Sequence, residues 1–191
     1  MSSSFTQTFI GMSKLFPSKV LELNLMGCLN SADYTDDIIS GMSNLNKLIN
    51  LNLAGCQMTQ KSCKKLSTLI VKVESLRTLD VSHCKINYQG TRYIIDALNR
   101  NKCINNFMFS GNDLSSQSNE FSIKVASMIT RHPCLMHIDI SNTNLKREEI
   151  LFIGMSLSTS KTMLSCHLTS GGMTYYDRVF LRSVIAARVS F

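Results

Sequence analysis

The chain has no uninterrupted apolar run of about 18 residues, so no segment of it is built to cross a membrane as a helix. Only 2 prolines and 9 glycines occur, which excludes collagen-like and proline-rich linker classes. Charged residues are 17% of the total, too few for a charged disordered tail or a long solvated helix. No C-x-x-C pair is present and no Cys and His stand at finger-like spacing, which argues against a structural zinc site. Neither a G-x-x-x-x-G-K-[ST] phosphate loop nor an H-E-x-x-H motif occurs. The N-terminal stretch is free of acid up to Glu22, but it lacks the apolar run and small-residue cleavage site of a secretory signal. It is serine-rich like a mitochondrial presequence, yet it carries no arginine.

What is present is a chain of 191 residues, 44% apolar, enough to build the core of one domain. Its 7 cysteines are an odd number without a secretory signal, which points to reduced thiols in a cytosolic setting. Cys28, Cys56 and Cys84 are equally spaced, and their interval organises the whole chain. Six copies of one pattern follow it. The first three are Val20-x-x-Leu23-x-Leu25-x-x-Cys28, Leu48-x-x-Leu51-x-Leu53-x-x-Cys56-x-Met58 and Leu76-x-x-Leu79-x-Val81-x-x-Cys84-x-Ile86. The next are Ile104-x-x-Phe107-x-Phe109-x-x-Asn112-x-Leu114 and Leu135-x-x-Ile138-x-Ile140-x-x-Thr143-x-Leu145. The last and loosest is Met163-x-x-Cys166-x-Leu168-x-x-Gly171-x-Met173. The starts, from Val20 to Met163, keep the same interval throughout, apart from one longer step between Ile104 and Leu135.

Within each copy the L-x-L alternation has the period of a strand, so both apolar side chains point to one face. The Cys, Asn or Thr that follows stands where the chain turns, and an inward polar group there can bond backbone atoms left unpaired by the turn. Cys28, Cys56 and Cys84 are therefore read as structural ladder residues. In the stretch ahead of each strand, one repeat position holds Ile10, Ile38, Leu66, Ile94, Val125 and Ile153. The position one helical turn later holds Lys14, Met42, Ile70, Leu98, Ile129 and Leu157. Positions four apart share a helix face, so each copy alternates a strand with an amphipathic helix.

This arrangement resembles the leucine-rich-repeat signature, L-x-x-L-x-L-x-x-N/C-x-L. Its 28-residue length with a full helix is similar to the ribonuclease-inhibitor subclass. The resemblance implies an α/β solenoid: a horseshoe of about six repeats, with a concave parallel sheet and convex helices. Residues 1–19 then form an N-terminal helical half-repeat acting as a cap, residues 20–173 the six repeats, and residues 174–191 a C-terminal helix with no polar cap. Leu181 and Ile185 take the stripe positions of that helix, and Phe191 falls one full interval after Met163, where another strand would begin. The C-terminal end is thus expected to pack against another chain or a continuing solenoid.

On the expected concave floor the outward middle column reads Asn24, Asn52, Asp80, Met108, Asp139 and His167. Beside it stand Glu22, Asn50, Thr78, Asn106, His137 and Ser165, and on the other side Met26, Ala54, Ser82, Ser110, Ser141 and Thr169. Six strands about 4.8 Å apart make a floor roughly 24 Å across. It is small and polar, without the Trp, Tyr, Phe or Arg anchors that carry most interface energy. The net charge of +7 falls mainly on helices and loops, in clusters such as Lys61, Lys64 and Lys65 and the pair Arg178 and Arg182. Such clusters are read first as the solvated outer faces of helices and second as suited to an acidic protein surface; they are too short to argue for nucleic acid. The extra residues of the fourth copy, in SSQSNEFSIK, fit either a tolerated loop or a binding loop.

Asp139, His137 and His167 are the best candidates for chemistry, with Ser165 near them. A carboxylate beside an imidazole favours the charged ring, so a raised histidine pKa is expected there. A hydrolase relay also needs a nucleophile in a closed pocket, and Ser165 lies on an open sheet. The chain is read as having no catalytic residues, no cofactor and no metal. The repeat class implies protein–protein contact: a scaffold or adaptor within a multi-subunit complex. Its Ser, Asn, Lys and Ile usage is similar to protist leucine-rich-repeat proteins, some of them cytoskeletal or ciliary. The alternatives weighed are an activator-like regulator of a small GTPase, whose family carries an acidic tail, and a ubiquitin-ligase substrate receptor, which needs a recruiting domain ahead of the repeats. Cytoplasm is the expected location, with cytoskeleton or cilium as the finer one.

Overall fold

The strands are short because the repeat offers one outward residue on each side of a single inward one before the chain turns away. The computed structural model describes residues 3–16, 18–29, 31–114, 119–169 and 172–189. Six three-residue strands lie in sequence order in one parallel sheet: β1 Glu22–Asn24, β2 Asn50–Asn52, β3 Thr78–Asp80, β4 Asn106–Met108, β5 His137–Asp139 and β6 Ser165–His167. Among the described residues there are seven α-helices: α1 Ser3–Leu15, α2 Ala32–Met42, α3 Gln60–Lys72, α4 Tyr88–Arg100, α5 Glu120–Arg131, α6 Arg147–Ser156 and α7 Tyr175–Val189. Each strand feeds a helix that returns to the next strand, giving an α/β leucine-rich-repeat solenoid with the sheet on one side and the helices on the other. The inserted residues 115–118 and Phe191 lie outside the described residues.

The register follows the repeat. Leu23, Leu51, Leu79, Phe107, Ile138 and Cys166 stand side by side across the sheet. The four central ones are fully buried, whereas Leu23 and Cys166, on the edge strands, are only partly covered. Ile38, Leu66, Ile94, Val125 and Ile153 close the core from the helix side.

The turn after each strand is a ladder of its own. Gly27, Gly55, His83, Gly111 and Asn142 occupy one repeat position, and all five have left-handed backbone. At Gly111 a Cβ would stand 2.1 Å from the His83 ring, so only glycine fits. At the next position the Cys56 thiol donates to the Leu25 carbonyl at 3.1 Å and the Cys84 thiol to the Leu53 carbonyl at 3.1 Å. Asn112 extends the ladder, donating to Val81 O at 2.9 Å and accepting from the amides of Cys84 and Ile86 at 3.1 Å. Burial pushes the Cys56 thiol up and that of Cys84 up to about 12. Cys28 departs from the expected role: it is exposed, because among the described residues no strand stands before β1 to offer it a carbonyl, and Leu29 fills the interior instead.

A second ladder closes the passage from helix to strand. Asn101 Oδ1 accepts from the amides of Cys103 and Ile104 at 2.7 and 2.8 Å. His132 Nδ1 accepts from Cys134 and Leu135 at 3.2 and 2.9 Å, and Ser160 Oγ from Thr162 and Met163 at 3.4 and 3.1 Å. Three residue types thus do one job at one repeat position.

Candidate functional site

The middle column of the sheet is committed largely to structure. Asn24, Asn52, Asp80 and Asp139 each turn a side-chain oxygen back to the amide two residues on, at 2.9 to 3.1 Å. These are Asx turns that fix the chain as it leaves each strand. Met108, in the same column, has no oxygen to do so. Beside them Asn50 donates to Glu22 at 2.8 Å and Asn106 to Thr78 at 3.4 Å, so the outer column is laced across strands. A shallow groove of about 190 Å³ runs over β1 to β4, lined by Glu22, Asn24, Asn50, Asn52, Thr78 and Asp80 together with Met108.

On β5 and β6 the structure brings together His137, Ser165 and His167, and it does not build a relay. His137 Nδ1 is hydrogen-bonded to the Ser165 hydroxyl, and its ring meets His167 edge-on at 5.1 Å. Asp139 and His167 are register partners, but the Asp139 carboxylate takes the Ser141 amide and, at 2.6 Å, the Ser141 hydroxyl. At His137, on the same strand as this carboxylate, the shift runs downward. Burial, then the neighbouring His167, lowers its pKa, and Asp139 opposes them only in part. Cys166 beneath them is pushed up to about 12 by burial. Among the described residues no group of three or more His, Cys, Asp or Glu side chains could hold a metal ion.

The basic clusters divide. Lys61 pairs with Asp36 at 3.4 Å, and Lys65 donates to the Asp36 carbonyl at 3.0 Å and to the Ser40 hydroxyl at 2.6 Å. Both are ties between α3 and α2. The Asp36 carboxyl, pushed up by burial, is brought below its usual range by bonds from Ser62, Thr59 and Lys61. Lys64 alone of that trio points to solvent untethered, and it stands beside the exposed Val71 helix face.

Arg178 and Arg182 have a different setting. Leu181 on α7 packs onto Gly154 of α6, where a Cβ would stand 2.3 Å from its methyl. That contact turns the opposite face of α7 outward, where Tyr175, Tyr176 and Val179 are exposed with Arg182, while Arg178 and Phe180 are exposed on its two flanks. Tyr176 is 81% exposed. Aromatics interleaved with arginine are the composition of interface hot spots. Sequence reading finds the arginines and Leu181 but misses the aromatics. A helical wheel drawn from Leu181 as the inward residue places Tyr175 and Tyr176 outward. Ile185, expected in the inward stripe with Leu181, is 39% exposed, because among the described residues nothing packs over it beyond Leu181.

These features define the class: a leucine-rich-repeat solenoid whose most interface-like surface is its last helix. More narrowly, the chain belongs to the PRAME C-terminal domain family, which matches residues 18–148. No curated protein matches it in sequence. Among solved structures it is similar to the actin-binding site 2 of leiomodin-1, with a TM-score of 0.58 at 12% identity, covering 98% of this chain and 91% of that one. It is also similar to the tropomodulin C-terminal domain of Caenorhabditis elegans, with a TM-score of 0.54 at 9% identity, covering 96% of this chain and 93% of the other. At such identities the likeness is one of fold.

Proposed function

We propose that this protein is a non-enzymatic protein-binding module that serves as an adaptor within a larger assembly. The observation that carries this reading is the outer face of α7, where Tyr175, Tyr176 and Val179 are exposed with Arg182 and are flanked by the exposed Arg178 and Phe180. Exposed aromatic area of this kind needs a cover. The arginines and the net charge of +7 favour an acidic partner surface. In this reading residues 1–19 cap the solenoid, residues 20–173 form its body with repeats of the ribonuclease-inhibitor type, and residues 174–191 offer the open end to another chain. The polar sheet floor is a secondary surface, suited to an extended polar segment.

Among partners, actin comes first to test, because the leiomodin-1 domain of similar fold is named as an actin-binding site. A cytoplasmic, cytoskeletal setting goes with that choice. The ciliary version draws on residue usage alone. Co-sedimentation with actin filaments, wild type against Tyr176→Ala/Arg182→Ala, tests the actin reading. Binding lost in the double variant supports it. Failure to sediment leaves the module reading to crosslinking in the native assembly.

A further inference from the structure

Ion pairs cross three of the seams between neighbouring helices among the described residues, α2–α3, α4–α5 and α6–α7, and none crosses the α5–α6 seam. Between α4 and α5, Glu120 is ringed by cations: Lys124 at 2.9 Å and Arg92 at 3.5 Å, with Lys124 also bridging to Asp96 at 2.6 Å. Glu148 stands at the same repeat position as Glu120, one helix further on. The residues equivalent there to Arg92 and Lys124 are Ile123 and Phe152, each one repeat later. Both cations are thus replaced by apolar side chains, 57% and 49% exposed. Instead of a closed seam there is a cleft of about 340 Å³ lined by Asn119, Ser122, Ile123, Glu148, Glu149 and Phe152. No cation lies within ion-pair distance of Glu148 among the described residues. Glu149, only 6% exposed, accepts from the Lys146 amide through Oε2, while its Oε1 has no hydrogen-bond partner. A buried carboxylate oxygen without a donor is costly.

We propose that the seam between α5 and α6 docks a segment of a partner protein that presents a basic side chain next to an apolar one. The internal comparison specifies the chemistry: the incoming cation takes the place that Arg92 and Lys124 hold around Glu120, and the apolar group lies between Ile123 and Phe152. In a chain of net charge +7, this is a place where a carboxylate without an ion pair among the described residues lies beside exposed apolar surface. The proposal shares with the preceding section only the class of ligand, a protein. It concerns another surface, so its failure leaves the α7 reading standing, and the reverse holds too.

The test uses the full chain and benzamidinium, an aromatic ring bearing a planar cation, with neutral benzamide as its twin. The readout is the Ile123 methyl resonance by NMR. Benzamidinium should shift it saturably, and benzamide should bind about tenfold weaker or less well still, the worth of one charge-assisted hydrogen bond. Phe152→Lys restores the cation that closes the α4–α5 seam and should abolish the response. Glu148→Gln should weaken it about tenfold without altering the core. Equal responses to the two probes, or a response untouched in both variants, would overturn the proposal. So would an Ile123 shift that follows protein concentration without any probe, which would give the seam to a second copy of the chain.

Discussion

Arg147 and Asp177 form a two-pronged ion pair that ties the last helix to the one before it. The guanidinium Nε donates to Oδ2 at 2.8 Å and Nη2 donates to Oδ1. The same carboxylate accepts from the Thr174 amide at 2.8 Å and its hydroxyl at 2.7 Å, so it also caps α7. Arg147 first, and then Thr174, holds the Asp177 carboxyl well below the usual carboxylate range. With the folded pKa depressed, the stabilisation is complete above the ordinary aspartate value of about 3.9 and is lost as pH falls below it. We expect α7 to stay docked from neutral pH down to about 4 and to loosen below that. Asp177→Asn should loosen it at neutral pH, read out as faster tryptic cleavage at Arg178 and Arg182 while the circular dichroism of the body persists.

His132 gives a second pH prediction, in a different window. Its Nδ1 must be unprotonated to accept from Cys134 and Leu135, and burial, followed by the charge of Lys102, lowers its pKa. A neutral histidine with a depressed folded pKa stabilises the fold above about pH 6.5, and that contribution is lost as pH falls below it. His132→Asn places at this position the residue that does the same job at Asn101, one repeat earlier. The variant should keep the cap and show a smaller drop in melting temperature between neutral and mildly acidic pH than the wild type.

The thiols should react in an order set by the ladder. Cys28 is exposed, whereas Cys56, Cys63 and Cys84 are buried and pushed upward. Timed alkylation with mass spectrometry should label Cys28 first and those three last. Early labelling of Cys56 or Cys84 would contradict their hydrogen bonds to the strand before.

Core and floor positions should separate cleanly in stability. Leu79→Ala removes a fully buried side chain and should cost about 2–5 kcal/mol. Asp80, its outward neighbour, is more than a surface residue, because it accepts from the Ser82 amide at 2.9 Å. Asp80→Ala should cost about 0.5–1.5 kcal/mol, where a plain exposed position would cost less than about 0.5. Chemical denaturation of both variants checks the pair.

The parts legible in the sequence are those that depend on periodicity alone. Leu51, Leu79, Phe107 and Ile138 announce the sheet, and Leu66, Ile94 and Val125 the helices, because each stripe recurs wherever a neighbour lies on both sides. Cys28 misleads for the same reason: its pattern matches Cys56, but among the described residues no strand stands before β1 to supply its partner. Asn101, His132 and Ser160 share a task without sharing a residue type, so no spacing rule finds them. The Asx turns of Asn52 and Asp80 are local and hide behind a surface position. Which side chains of α7 face outward follows from one contact, Leu181 on Gly154, which is tertiary. The open seam at Glu148 appears only when its surroundings are set against those of Glu120.

The central claim, that α7 is the principal protein-binding face, is tested most directly by site-specific photo-crosslinking in the native assembly. A photoreactive residue replaces Val179 on that face in one preparation and Val71, exposed on α3, in another. The account predicts a discrete protein adduct from position 179, lost when Tyr176→Ala and Arg182→Ala are added, and little or none from position 71. Adducts equal from both positions, or unaffected by the two substitutions, would contradict it.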